Sequence, residues 1–114
     1  MLSLTQTNHH GGTKYLQVAQ IIPCSVGSYT SQIKALNDAI PAWATGLNTT
    51  ESPIWVVDQN TGMSSTDLRD GVHPNTSGDT KMAAKWYPAL VNALKIIEAN
   101  MATAPSKREL EFIS

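Results

Sequence analysis

Tyr15-Leu16-Gln17-Val18-Ala19-Gln20-Ile21-Ile22-Pro23 is the stretch that decides the fold class. It is almost continuously apolar, β-branched at three positions, and closed by a proline that cannot extend a ladder. Those properties predict a strand buried on both faces, as in a parallel sheet. From Ser28 onward the period changes. Ile33, Leu36, Ile40, Trp43 and Leu47 recur at three and four residues, one stripe of a helix. Ser28, Thr30 or Ser31 is the expected cap at its start, and Gly46 marks its end. Pro41 inside the stripe predicts a kink or a split. After a turn over residues 48–52, Pro53 introduces Ile54-Trp55-Val56-Val57-Asp58, a second short buried strand.

Residues 59–72 read as a polar loop containing Gly62 and Gly71. A long helical pattern follows from about Ser77, with Met82, Trp86, Leu90, Leu94, Ile97 and Met101 along one face. Ser77 is its expected N-cap, Asp79 complements the dipole of its first turn, and Pro88 implies a bend. Two buried strands joined by a helical crossover make one right-handed βαβ unit of a parallel sheet. This is α/β architecture, and it is incomplete: such a sheet has two faces and two edges, and too few helices follow to cover them. Residues 1–14, including His9-His10, read as a disordered lead-in, 15–103 as the folded part, and 104–114 as a flexible charged tail.

Composition narrows the function classes. Apolar residues make up 41% of the 114 and charged residues 15%, a globular balance. A net charge of −1 gives no electrostatic footprint for nucleic acid or an anionic membrane, and no apolar stretch reaches the length of a membrane span. Neither partner is expected. Cys24 stands alone, so no internal disulfide is available. The first twelve residues lack the pattern of a signal peptide, whereas Asn48-Thr49-Thr50 and Asn75-Thr76-Ser77 are glycosylation sequons that lean toward a secretory origin.

The chemistry sits in Asp67-Leu68-Arg69-Asp70-Gly71-Val72-His73-Pro74-Asn75. Asp70 and His73, three apart on an irregular segment, are close enough for the carboxylate to accept the imidazole Nδ1–H. Such a bond sets the tautomer and leaves Nε2 as a general base. Gly71 permits the tight turn, and Pro74 starts the next helix with a preset φ. On spacing alone, however, a capped loop with a solvated His73 is the better reading.

The longer string changes this. Val56 through Gly62, Asp67 through Asn75, and Ser77 through Leu90 closely resemble the terminal block of SGNH/GDSL hydrolases, most of all fungal secreted carbohydrate esterases of family 3, the acetylxylan esterases. Val18 through Pro23 and Leu36-Asn37-Asp38-Ala39-Ile40-Pro41 extend the resemblance over roughly residues 16–98. It implies the C-terminal portion of a flavodoxin-like parallel-sheet SGNH hydrolase: two parallel strands, a crossover helix and a long C-terminal helix. It also implies Asp70 and His73 as triad acid and base, an ester substrate such as an acetylated polysaccharide, an extracellular setting, and no cofactor or metal.

The same family carries a Gly-Asp-Ser nucleophile motif and oxyanion donors in a further glycine and a Gly-x-Asn-Asp block. No Gly-Asp-Ser occurs in these 114 residues. Gly78-Asp79-Thr80 imitates it within the terminal block and reads as helix capping. Leu36-Asn37-Asp38 lacks the required glycine and is expected to face solvent. Asp67 reads as a surface or loop-bracing residue. Cys24, just past the first strand, reads as a small buried hydrophobe before a nucleophile. His9-His10 has no carboxylate or cysteine beside it to complete a metal site. Trp43, Trp55 and Trp86 fall on buried-type positions and read as core. The expectation is a half-site, inactive alone; the alternative is a non-catalytic fragment or pseudoenzyme that associates, with itself or another chain, through its exposed sheet edge.

Overall fold

The computed structural model describes the backbone of residues 2–8, 11–102 and 109–113, and side chains over 14–102. Its centre is the expected parallel pair. Strand β2 (Gly11–Gln20) runs beside β3 (Ile54–Asp58), with Leu16 opposite Ile54 and Gln20 opposite Asp58. Helix α1 (Thr30–Leu47) crosses between them, and α2 (Thr76–Ala102) follows a short 3-10 turn at Ser65–Asp67.

Strand alternation hands one face of this pair to each helix. Tyr15 and Trp55, stacked with ring centroids 6.3 Å apart, lie with Ala93 and Ile97 of α2. Leu90, Leu94 and Met101 pack against that cluster, so the second half of the apolar stripe read from the sequence is the packed face of α2. Two fully buried amides pin the helix down. Gln17 Nε2 donates to the Ala89 carbonyl at 2.8 Å, and Gln59 Nε2 to the Met82 carbonyl at 3.2 Å.

On the opposite face, α1 is held by a polar device. Asn37 Oδ1 accepts the Ile21 N–H at 2.8 Å while its Nδ2 donates to the Ile21 carbonyl at 2.9 Å, as another strand would. Pro41 has no N–H to give the Asn37 carbonyl, and Gln20 Nε2 fills that place at 2.7 Å. The proline therefore neither splits the helix nor leaves an orphan carbonyl.

Several expectations need correction. Asn37 is buried, not solvent-facing, because the end of β2 needs its amide. The buried stripe of α1 is Asn37, Ile40 and Ala44, whereas Leu36, Trp43 and Leu47 are exposed; Trp43 is not core. None of Ser28, Thr30 and Ser31 caps α1: Tyr29 occupies the N-cap without a side-chain bond. Gly46 lies inside the helix, which ends at Asn48, whose Oδ1 accepts the Ile54 N–H and ties the helix end to β3.

The lead-in and tail also differ from expectation. β1 (Leu2–Asn8) pairs antiparallel with β2, and β4 (Glu109–Ile113) pairs with β1, giving the order β3-β2-β1-β4. Alternation in Leu2-Ser3-Leu4-Thr5 and Glu109-Leu110-Glu111-Phe112 suits a strand. The free edge of β2 is thereby filled, and among the described residues β3 keeps an unpaired outer edge. His9-His10 and the 103/104 boundary lie outside the described residues. The molecule is elongated, 52 × 28 × 18 Å, with a radius of gyration of 16.5 Å. A compact domain of this length would have about 13 Å.

Candidate active site

The loop that carries Asp70 and His73 is closed at its neck. Leu68 and Pro74 form an isolated antiparallel bridge, and the Arg69 N–H donates to the His73 carbonyl at 2.9 Å. At the tip Gly71 has φ +85°, a conformation L side chains rarely adopt. A Cβ there would also stand 2.3 Å from Val26 Cγ2. The Gly71 carbonyl accepts the Ser25 N–H at 2.8 Å, so the segment leaving β2 props the loop from a distance of 46 positions in sequence. Sequence reasoning had no signal for this contact.

Within the loop the two oxygens of Asp70 divide their duties. Oδ1 accepts the backbone N–H of Val72 at 2.9 Å and of His73 at 2.7 Å. Oδ2 lies 2.6 Å from His73 Nδ1. The His73 amide, then the Val72 amide, then the imidazole hold the Asp70 carboxyl well below the usual carboxylate range. An anionic Asp70 favours the Nδ1–H tautomer and leaves Nε2, which has no partner among the described residues, as the basic nitrogen. The pair is open to solvent, with about half of each side chain exposed. His73 lines a shallow cleft of about 540 Å³ with Arg69, Pro74, Asn75, Thr76 and Asp79.

Asp67 is the brace of this loop. It is buried, and its side chain binds Lys81 Nζ at 2.9 Å, the Ser77 hydroxyl at 2.6 Å and the Ser64 N–H at 3.0 Å. Lys81 first, then Ser77 and Ser64, lower its carboxyl from 3.8 to about 2. It makes no bond to His73, so Asp70 alone holds the imidazole. Of the two roles read for Asp67, loop-bracing is the one observed, from inside rather than at the surface.

The start of α2 is organised by Asn75. Its Oδ1 accepts the Gly78 N–H at 3.0 Å and its Nδ2 donates to the Thr66 carbonyl at 2.9 Å. Asn75, not Ser77, is the cap; Ser77 turns to Asp67 instead. Both ends of the Asn75 amide in the second sequon are thus engaged. Gly78 is buried so tightly that a Cβ would lie 2.4 Å from the Asp67 carbonyl oxygen. That position belongs to helix packing, and Gly78-Asp79-Thr80 supplies no nucleophile elbow. Cys24 is half-buried, directs its thiol to the Val26 carbonyl at 3.2 Å and makes no bond to His73. Among the described residues there is no group of three or more His, Cys, Asp or Glu placed to hold a metal, and no helix long and apolar enough to cross a membrane.

No family model and no curated protein matches the chain. Two solved structures do. One is a serine-to-alanine mutant of an acetyl esterase with acetate ion, 38% identical over 73% of this chain with a TM-score of 0.67. The other is a carbohydrate esterase of family 3 from Talaromyces cellulolyticus, 39% identical over 71% with a TM-score of 0.65. The chain spans 41% and 40% of their respective lengths. Over nearly three quarters of its own length, this chain therefore carries a partial esterase-type domain of the carbohydrate esterase family 3 kind.

Proposed function

We propose that this chain is the acid–base portion of a serine esterase of SGNH/GDSL type, spanning residues 15–103, in which Asp70 and His73 are the triad acid and base. The observation that carries this reading is the 2.6 Å Asp70 Oδ2–His73 Nδ1 contact beside an unengaged Nε2. Once a serine is presented to Nε2, His73 takes its proton as the hydroxyl attacks an ester carbonyl, then returns it to the leaving alcohol. Asp70 keeps the tautomer and stabilises the imidazolium, and water, activated by the same histidine, hydrolyses the acyl-enzyme. Acetyl esters of extracellular polysaccharides are the substrates this reading favours.

The 114 residues hold no Gly-Asp-Ser, so the chain by itself is inactive in this reading. Loss of a nucleophile alone costs roughly 10⁶-fold in turnover in serine proteases. Joining this chain to the part of the Talaromyces cellulolyticus esterase that it does not span is expected to yield hydrolysis of acetylated xylan that disappears in His73→Ala. A folded chimera without turnover, or hydrolysis of p-nitrophenyl acetate by the isolated chain above the free-imidazole rate, would sink the proposal. The unpaired outer edge of β3 favours a second reading, a non-catalytic chain that pairs through that edge. A chimera that folds and stays inactive is what this reading predicts.

A further inference from the structure

We infer that the flank of α1 marked by Leu36, Trp43 and Leu47 is the docking surface for the part of an esterase domain that this chain does not span. The inference rests on the esterase reading above and adds where the completing polypeptide sits.

A helix turns about 100° per residue, so the buried Asn37, Ile40 and Ala44, together with half-buried Ile33, form one stripe. Leu36, Trp43 and Leu47 form a second, centred about 70° round the axis from the first. That angle is a flank. It points neither into the sheet nor straight outward, but sideways, where a helix of the same layer would pack. These three residues are 49%, 46% and 55% exposed, while the opposite side of the helix carries the Lys34–Asp38 ion pair. Three large apolar groups in a line on one flank are unusual on a surface with no partner.

The exposed area of the whole elongated chain leaves room for a partner. The chain exposes 7349 Å², against about 6,100 Å² for a compact monomer of its mass. The excess exceeds the roughly 800 Å² per partner that a stable interface buries. The occupant follows from the comparison. In both matched esterases about three fifths of the length lies outside the shared part, so the polypeptide that completes the domain is the occupant of this flank.

The test uses the full 114-residue chain co-expressed with the unspanned part of the Talaromyces cellulolyticus esterase. A soluble 1:1 complex is expected by analytical ultracentrifugation. Leu36→Lys with Leu47→Lys, both on exposed positions, should weaken it at least tenfold without changing the circular dichroism of the free chain. Leu36→Met with Leu47→Met should restore it, and His73→Ala should leave it intact. No soluble complex, or one indifferent to the lysines, overturns the inference. So does a homodimer of the chain that the lysines dissolve and the segment does not displace. A complex that forms without hydrolysing esters retains the docking surface and removes the esterase reading. An active covalent chimera whose separate parts never associate does the reverse.

Discussion

Replacing Gly78 and Gly46 by alanine, one at a time, sets two physical effects against each other at two helical positions. Intrinsic propensity favours alanine in both cases, by about 0.5–1 kcal/mol relative to glycine. At Gly46 nothing lies within 4 Å of the added Cβ, so only that gain remains, and a rise of about 0.5 kcal/mol is expected near the helix end. At Gly78 the Cβ would stand 2.4 Å from the Asp67 carbonyl oxygen and 2.8 Å from Pro74 Cβ. Neither is the free end of a flexible side chain. Both belong to the segment that Asp67 and the Leu68–Pro74 bridge hold against α2. Relieving a clash with atoms that cannot swing away costs about 2–3 kcal/mol, the upper part of the usual range, which leaves a net loss of about 1–2.5 kcal/mol after the propensity gain. For a folded unit of this size that is a fall of about 5–12 °C in Tm. Urea and thermal unfolding followed by circular dichroism would measure both variants. Equal or greater stability of Gly78→Ala, or the same sign for the two substitutions, would refute the close packing of α2 on Asp67.

Asp67, lowered from 3.8 to about 2 in the fold, contributes stability that is fully present above about 4. That contribution is lost as the pH falls through about 2. Wild type and Asp67→Asn should therefore differ at pH 6 and converge toward pH 2, and a constant gap across that range would contradict the assignment. Asn37→Ala strips the Ile21 N–H of its partner and is expected to cost about 1–3 kcal/mol in urea unfolding; an unchanged midpoint would count against the clamp. Long-range nitrogen–proton NMR should find the neutral His73 ring as the Nδ1–H tautomer, with Asp70→Asn reducing that preference. An Nε2–H ring in the wild type would remove the base from the proposed site.

What the sequence made legible was what is local or periodic. The Asp70–His73 pair spans three positions of one loop, so its hydrogen bond was readable locally, whereas the roles proposed for it came from the surrounding block and not from the spacing. The stripe of α2 was readable because its second half, from Leu90 to Met101, lies on one apolar cluster around Tyr15, Ala93 and Ile97. In α1 the period was right and the face was not. Hydropathy reports which residues can be buried, and Leu36, Trp43 and Leu47 can be, yet among the described residues they stay about half exposed. Asn37 is the converse case: a polar side chain drawn inward because the backbone at the end of β2 needs two hydrogen bonds. The prop from Ser25 and Val26 to Gly71 joins positions too far apart for any pattern to reveal.

The Asp70–His73 loop is assembled without help from the rest of an esterase, and this bears on how an inactive chain would be interpreted under the proposed function. Every restraint described on Asp70 and His73 comes from the segment leaving β2, from the loop itself or from the first turns of α2. Two amides fix Asp70 Oδ1, the Ser25–Gly71 bond fixes the tip, and Asp67 fixes the neck through Lys81 and Ser77. A serine nucleophile is a different matter. In an open α/β sheet the groups of a site converge from the carboxyl ends of separate strands, so a nucleophile on another strand belongs to a part of the sheet that these residues do not build. In the proposed reading, acid and base can therefore be in place while the reaction is out of reach. Absence of turnover together with an Nδ1–H tautomer at His73 would point to the missing serine, whereas absence of turnover with the opposite tautomer would mean that the half-site itself is not formed.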